Sequence, residues 1–317
     1  MLVVVASAVM PLWASAQQAY PSKPVTLVVT VAAGGSIDAV ARLLAQGLGT
    51  TLGQPVLVVN RAGAGGNIAA ESVASAPPDG HTLLITSSST LTLNPFVYKS
   101  LPFDPEKSFT PIAMPARLNM ILVVHPKLGA STVQEFVSVL EAQPDKLNYG
   151  SSGSGTLPHL AGVLFASQTR TRSNHVPYKG VAPANIDLLA GHIEFMFDSA
   201  TTIQHIRAGK LKALAVIGPK RLAPLPGVST FRELGMPEME SASGWYGVLA
   251  PAGTSTEIVQ RLNREIGRIM RQPESIERVA AMGLENASAT PEEVASILSS
   301  ELRRFAPIVK QAGVTPQ

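Results

Sequence analysis

The chain has 317 residues, of which 45% are hydrophobic and 15% charged. That balance supplies a large core, excludes intrinsic disorder and suits two domains. A net charge of +3 spread over scattered Lys and Arg argues against a nucleic-acid partner, and the absence of cysteine excludes thiolate nucleophiles, disulfides and cysteine metal sites.

Residues 1–16 carry no charge, include an apolar stretch over residues 2–10 and end in Ala14-Ser15-Ala16 ahead of Gln17-Gln18. This small-x-small pattern predicts an export signal cleaved after Ala16. The stretch falls well short of the ~20 apolar residues needed to span a bilayer. It lacks the usual Lys or Arg near its start, which leaves a start codon further upstream open. No later run is apolar and long enough to cross a membrane, so the mature protein is expected to be soluble.

A β-rich run at residues 25–31 leads into Ala32-Ala33-Gly34-Gly35-Ser36-Ile37-Asp38 and then a helix pattern over residues 37–52. Ile37, Val40, Ala41, Leu44, Leu48 and Leu52 share one face of that helix, as expected for packing on a sheet. A strand feeding a helix through two glycines leaves backbone N–H groups unpaired and aimed at one point, where the helix dipole favours negative charge. The loop reads as an anion seat. Strand candidates at residues 56–59 and 82–86 and a helix near residues 67–74 follow, and the pattern is interrupted at residues 114–119.

The pattern restarts with a strand at residues 120–125. Next comes a helix carrying Val133, Phe136, Val137 and Leu140, opened by Thr132 and Glu135 in capping-box positions and ended by Pro144. A strand at residues 147–149, a Ser/Gly loop and a helix through Leu160, Ala161, Leu164 and Phe165 follow. Further strand candidates lie at residues 175–176, 193–197 and 213–217. After a second interruption at residues 236–243 come one strand, residues 245–249, and helices near residues 255–270, 275–282 and 291–311. Nearly continuous apolar strands between such helices predict an α/β fold of two lobes, each a mostly parallel sheet flanked by helices. Two interruptions imply two hinge crossovers, with residues 20–118 and 244–317 in one lobe and 119–243 in the other. Ligands of open α/β sheets bind beyond the carboxyl ends of the strands, so loops of both lobes are expected to converge on a cleft.

Four loops follow strands and are polar and rich in Gly, Ser or Thr. The first holds Gly34, Gly35, Ser36 and Asp38. The second is Thr86-Ser87-Ser88-Ser89-Thr90, and the third is Tyr149-Gly150-Ser151-Ser152-Gly153-Ser154-Gly155-Thr156. Asp198-Ser199 forms the fourth. Hydroxyls beside glycines offer neutral O–H and N–H donors suited to a carboxylate. The same residues are ordinary helix starts, so each loop alone also reads as a plain N-cap. Asp38 and Asp198 stand as ligand contacts, a general base or braces of their own loops, bracing being the usual role of an acid in a first helical turn. Two carboxylates in one cleft also resemble a glycosidase pair, without a separation to support it. His159 reads as a cap or a contact, and Trp245 and Tyr246 as core or cleft wall.

Little else carries chemistry. None of the six histidines has metal-ligand spacing, and neither Ser152 nor Ser154 is flanked by the paired glycines of a nucleophile elbow.

At these loops the chain resembles the substrate-binding receptors of tripartite tricarboxylate transporters, the TctC-like or Bug family. The resemblance runs from Tyr20-Pro21-Ser22-Lys23-Pro24 almost to the end. It passes through Gly34-Gly35-Ser36-Ile37-Asp38, Asn60-Arg61-Ala62-Gly63-Ala64-Gly65-Gly66-Asn67-Ile68, Pro78-Asp79-Gly80-His81-Thr82-Leu83-Leu84 and Leu147-Asn148-Tyr149-Gly150-Ser151-Ser152-Gly153. His175-Val176-Pro177-Tyr178-Lys179-Gly180 and Ala250-Pro251-Ala252-Gly253-Thr254 complete it. The order and spacing of these segments make the match specific. It implies a periplasmic-binding-protein fold of type II kind and a receptor that closes on a small carboxylated metabolite, without cofactor, metal or catalysis. By position, Gly34, Gly35, Ser36 and Asp38 together with Ser151, Ser152, Gly155 and Thr156 would seat the carboxylate, and Ser87, Ser88 and Asp198 would line the rest. The implied partners are the ligand and the membrane subunits of a tripartite transporter, with the receptor itself a monomer. Family members commonly place prolines and an aromatic residue before the first glycine loop, where this chain has Thr30-Val31-Ala32-Ala33. That departure predicts a smaller wall and a less rigid loop.

Two other readings stay open. A sensor receptor presenting its ligand to a membrane signalling protein would use the same closed form. A secreted serine hydrolase would need the serine-rich loop with His159 or His175, in a chain with no evident triad spacing.

Overall fold

The computed structural model describes residues 20–178, 180–198 and 201–311; the expected leader, Ser199 and Lys179 lie outside them. The first sheet is entered through β1 (Val25–Val29), α1 (Ser36–Leu52), β2 (Val56–Asn60), α2 (Asn67–Ala74) and β3 (Thr82–Ser87). Short helices α3 (Ser88–Thr92) and α4 (Asn94–Val97) lead to β4 (Phe109–Leu118). The chain then crosses into β5 (Met120–Val124), α5 (Val133–Ala142), β6 (Asn148–Ser151), α6 (Leu157–Thr169), β7 (Asn174–Pro177), α7 (Val181–Ala190), β8 (Phe195–Asp198), α8 (Ile203–Arg207) and β9 (Lys212–Ile217). It returns through β10 (Gly244–Pro251), α9 (Thr256–Met270), α10 (Pro273–Ala281), β11 (Leu284–Asn286) and α11 (Pro291–Gln311).

Two sheets result, ordered β11-β4-β10-β3-β1-β2 and β7-β6-β8-β5-β9, and helices flank both. The crossing from the first sheet to the second takes one residue, Asn119, and the return strand begins at Gly244, which pairs with Leu118. Both passages therefore run side by side.

The expectation of mostly parallel sheets is corrected. β1 is parallel to β2 and β3, and β6 to β7 and β8, but β10 is antiparallel to β3 and β4, β11 to β4, and β5 to β8 and β9. Continuous apolar runs report burial on both faces and not direction. The strands that exchange between sheets are fully buried yet enter against the local direction of their neighbours.

The sequence does not mark β4 as a strand, because its Pro111 and Pro115 deny ladder donors in what is an interior strand of the sheet. The sheet accommodates them through register shifts against β10: Ala116 faces Tyr246, Ala113 faces Val248 and Pro111 faces Leu249, so Pro115 falls within an irregularity.

α1 lays Val40, Ala41, Leu44 and Leu48 into the first core with no more than 1% exposure, each large side chain contributing about 1.5–3 kcal/mol. Gly53, at φ 70°, ends the helix in the left-handed conformation that only glycine adopts without strain. The two cores are not sealed from each other. In α11, Val294 and Leu298 pack with Trp245 in a first-sheet cluster, whereas Phe305 and Val309 join Phe136, Phe165 and Phe231 beneath the second sheet, as do Leu93 and Val97.

Candidate functional site

Asp38 organises the opening loop from within. It is 3% exposed, and its carboxylate accepts hydrogen bonds from Gly34 N at 3.0 Å, Arg42 Nε and Nη2 at 3.0 and 3.1 Å, and Asn60 Nδ2 at 2.9 Å. Asn60 also donates to the Val31 carbonyl at 3.0 Å. The Arg42 hydrogen bond, opposed by burial and helped by Gly34 and Asn60, lowers the Asp38 pKa to about 2. The loop that lacks prolines is thus held by hydrogen bonds instead. Arg42 offsets the carboxylate charge, so an anion at the helix end is not repelled by an unpaired acid. Gly35 caps α1 without any side-chain acceptor, and residues 32–35 are exposed, which leaves first-turn N–H groups as donors.

The second loop is tied to the return strand. Ser88 is 1% exposed and its Oγ accepts from Trp245 N at 3.3 Å. Ser87 pairs in register with Tyr246, and its Oγ lies 2.7 Å from Ser89 Oγ. Thr90 Oγ1 donates to the Gly65 carbonyl at 2.9 Å.

In the third loop Ser151 is fully buried, with its Oγ 2.6 Å from His175 Nε2 and within hydrogen-bond distance of both Gly153 N and Gly153 O. Thr156 Oγ1 donates to the Gly153 carbonyl at 2.7 Å and α6 starts with no side-chain cap. Gly155 N donates to His159 Nδ1 at 3.0 Å, so His159 closes its own loop. Ser152 is half-buried. Gly155, at φ +75°, packs close to α4: a Cβ there would lie 2.6 Å from Val97 Cγ1.

The three loops meet on three successive residues of β10. A Cβ on Gly244 would lie 2.6 Å from Leu157, the first residue of α6, and 3.2 Å from Ser88 Oγ. Trp245 N reaches Ser88, and the Tyr246 hydroxyl lies 2.7 Å from Ser36 Oγ. Trp245 and Tyr246 are 1% and 6% exposed, so both are core residues, and burial raises the Tyr246 pKa.

Asp198 is fully buried and accepts from Thr201 Oγ1 at 2.6 Å and from Thr202 N and Oγ1 at 2.8 Å each. Its carboxylate is consumed by its own turn. Thr201 in turn lines a cleft of about 750 Å³ with Gly34, Gly35 and Ser36, joined by Arg207 of α8 and Glu277 of α10. Gly34 to Ser36 thus face the second sheet's loops across open space. Of the two readings open for Tyr246, core and cleft wall, its burial fits the core. Thr201 and Arg207 carry no local sign of a cleft position, because nothing in the sequence distinguishes a helix-end cation that faces a cleft from one that faces solvent.

A family model described as tripartite tricarboxylate transporter family receptor matches residues 40–314. The chain belongs to that receptor family. Its structure is similar to that of the periplasmic binding protein BugD, at 34% identity and TM-score 0.79 over 94% of this chain and 100% of that one. An R. palustris protein solved with adipate is 34% identical with TM-score 0.83, over 94% and 100% of the two chains. MatC from Rhodopseudomonas palustris, solved with bound malate, is 32% identical with TM-score 0.78, over 92% and 100%. The receptor therefore has the two-lobed fold of periplasmic binding proteins and the solute-binding function of its family.

Proposed function

We propose that this receptor captures a small dicarboxylate between its lobes and hands it to the membrane subunits of a tripartite transporter. One observation carries the reading: the uncapped N-termini of α1 and α6, one from each sheet, meet on β10 beside the hydroxyls of Ser36, Ser87 and Ser88. Backbone amides and neutral hydroxyls suit a carboxylate, and helix dipoles add to their pull. The adipate and malate held by the relatives support a diacid. Gly34, Gly35, Ser36, Ser152, Gly155 and Thr156 form the seat, Ser87 and Ser88 its floor, and Ser151, Asp38 and Asp198 brace it from within without touching ligand. Residues 20–118 with 244–317 and residues 119–243 rotate about the paired passages at Asn119 and Gly244, and closure is favoured because the ligand contacts both lobes only when they are shut. The receptor works as an exported, periplasmic monomer without cofactor. Isothermal titration against mono-, di- and tricarboxylates should give saturable binding with the ligand recovered intact; consumption of ligand would contradict the reading.

The pair Ser151–His175, 2.6 Å apart, favours a hydrolase as the second reading. Against it, Ser151 is wholly buried, and burial and the neighbouring His159 depress the His175 pKa to about 4, a weak base for that task. Among the described residues no carboxylate forms an ion pair with His175. A serine-directed phosphonate should leave the protein unlabelled.

A further inference from the structure

Two histidines behind the third loop have no part in the binding reading so far. The rings of His159 and His175 stack at 3.9 Å between centroids with 10° between planes, and Tyr149 of β6 packs against both. His159 is 6% exposed, sits in the first turn of α6 and uses Nδ1 to accept the Gly155 N–H. Only a ring without a proton on Nδ1 can accept that bond. The same bond fixes Gly155, where an added Cβ would lie 2.6 Å from Val97 of α4.

We propose that His159, backed by His175, is a positioning residue that holds the third loop in its anion-binding form only while its ring is neutral, so that acidification releases the ligand. This rests on the dicarboxylate reading above. A proton on Nδ1 removes the acceptor for Gly155, places a cation at the positive end of a helix and sets it against a stacked imidazole. Burial depresses the basicity of both rings, and His159 further disfavours a charge on His175.

The groups around the pair do not offset such a charge. From β6, Tyr149 presents a phenol held protonated by burial. From the loop, Ser151 presents a hydroxyl to His175. Beyond β7, Asp187 is taken by Tyr178 and His192, and Glu194 by Lys127 and Asn148. No carboxylate contributes to the behaviour of either ring.

Titration of the full chain with adipate as the probe, between about pH 7.5 and about pH 5, tests this against His159→Asn and His159→Leu. The asparagine amide oxygen can stand where Nδ1 stands and does not titrate, and every form meets the same protonation of adipate. Over that interval the unmodified receptor should lose on the order of tenfold more affinity than His159→Asn. His159→Leu should bind weakly throughout. A slope equal to that of His159→Asn, or affinity rising on acidification, overturns the proposal. Absence of adipate binding to the unmodified chain at about pH 7.5 counts against the dicarboxylate reading instead. The histidine claim is then decided on the unmodified chain by nitrogen-15 resonance: the Gly155 amide should move with the titration of the His159 ring, and an amide indifferent to it overturns the claim.

Discussion

Trp245 Nε1 donates a 3.0 Å hydrogen bond to Glu301 Oε2, joining the return strand β10 to α11 inside the core. Because Gly244 and Tyr246 flank this tryptophan and touch the other loops, α11 anchors the strand on which the candidate site's loops meet.

Burial pushes the Glu301 pKa up to about 7, against the opposing pull of Arg304, Trp245, Arg117 and Thr92. A carboxyl raised above its unfolded value gives full stability below about pH 4.3 and loses it as pH rises through about 7. Glu301→Gln, neutral at every pH, should therefore gain on the unmodified chain between about pH 5 and about pH 8, by about 3 kcal/mol at most. Urea unfolding at the two pH values measures the difference, which should be absent if Glu301 ionises freely in the fold.

Asp38→Asn should weaken the opening loop rather than remove a ligand contact. It disturbs a buried acceptor that receives Gly34, Arg42 and Asn60, and the expected loss is about 1–3 kcal/mol. Because the folded pKa is depressed to about 2, the brace is fully present above about pH 3.9 and is lost as pH falls through about 2. Thermal unfolding and titration calorimetry should show reduced stability and reduced affinity with unchanged stoichiometry.

Gly155→Ala should impair binding through the contact of the third loop with α4. Its φ of +75° costs a side chain about 1–2 kcal/mol, and the new methyl would lie 2.6 Å from Val97 Cγ1. Adding Val97→Ala should restore part of the affinity, measured by calorimetry; no restoration would place the defect in the loop alone.

Tyr246→Phe keeps the buried ring and removes the 2.7 Å link to Ser36. A loss of about 1 kcal/mol in stability is expected, with affinity for a diacid falling several-fold because the α1 N-terminus is less fixed.

The glycine loops, the helix faces and the two-lobed plan were legible because each follows from local pattern: apolar strand, Gly34-Gly35, then the 3.6-residue spacing of Ile37 to Leu52. Strand direction was not, since β5 and β10 look alike whichever way they run. β4 was hidden by Pro111 and Pro115, and β11 by having only three residues. The roles of Asp38 and Asp198 were undecided in sequence because an acid beside a glycine loop has the same spelling whether it meets a ligand or its own backbone. In the structure both carboxylates are engaged by neighbours, Asp38 by Arg42 and Asn60 and Asp198 by Thr201 and Thr202, which supports bracing. The meeting of Ser36 with Tyr246, some two hundred residues apart, depends on sheet order that no local pattern carries.

Amide hydrogen exchange with and without saturating malate or adipate tests the central claim most directly. The seat predicts slowed exchange together at residues 34–38, 87–90 and 151–157, in both lobes, with the ligand recovered unchanged. Protection confined to one lobe, or none at these three loops while the ligand is bound, would contradict it.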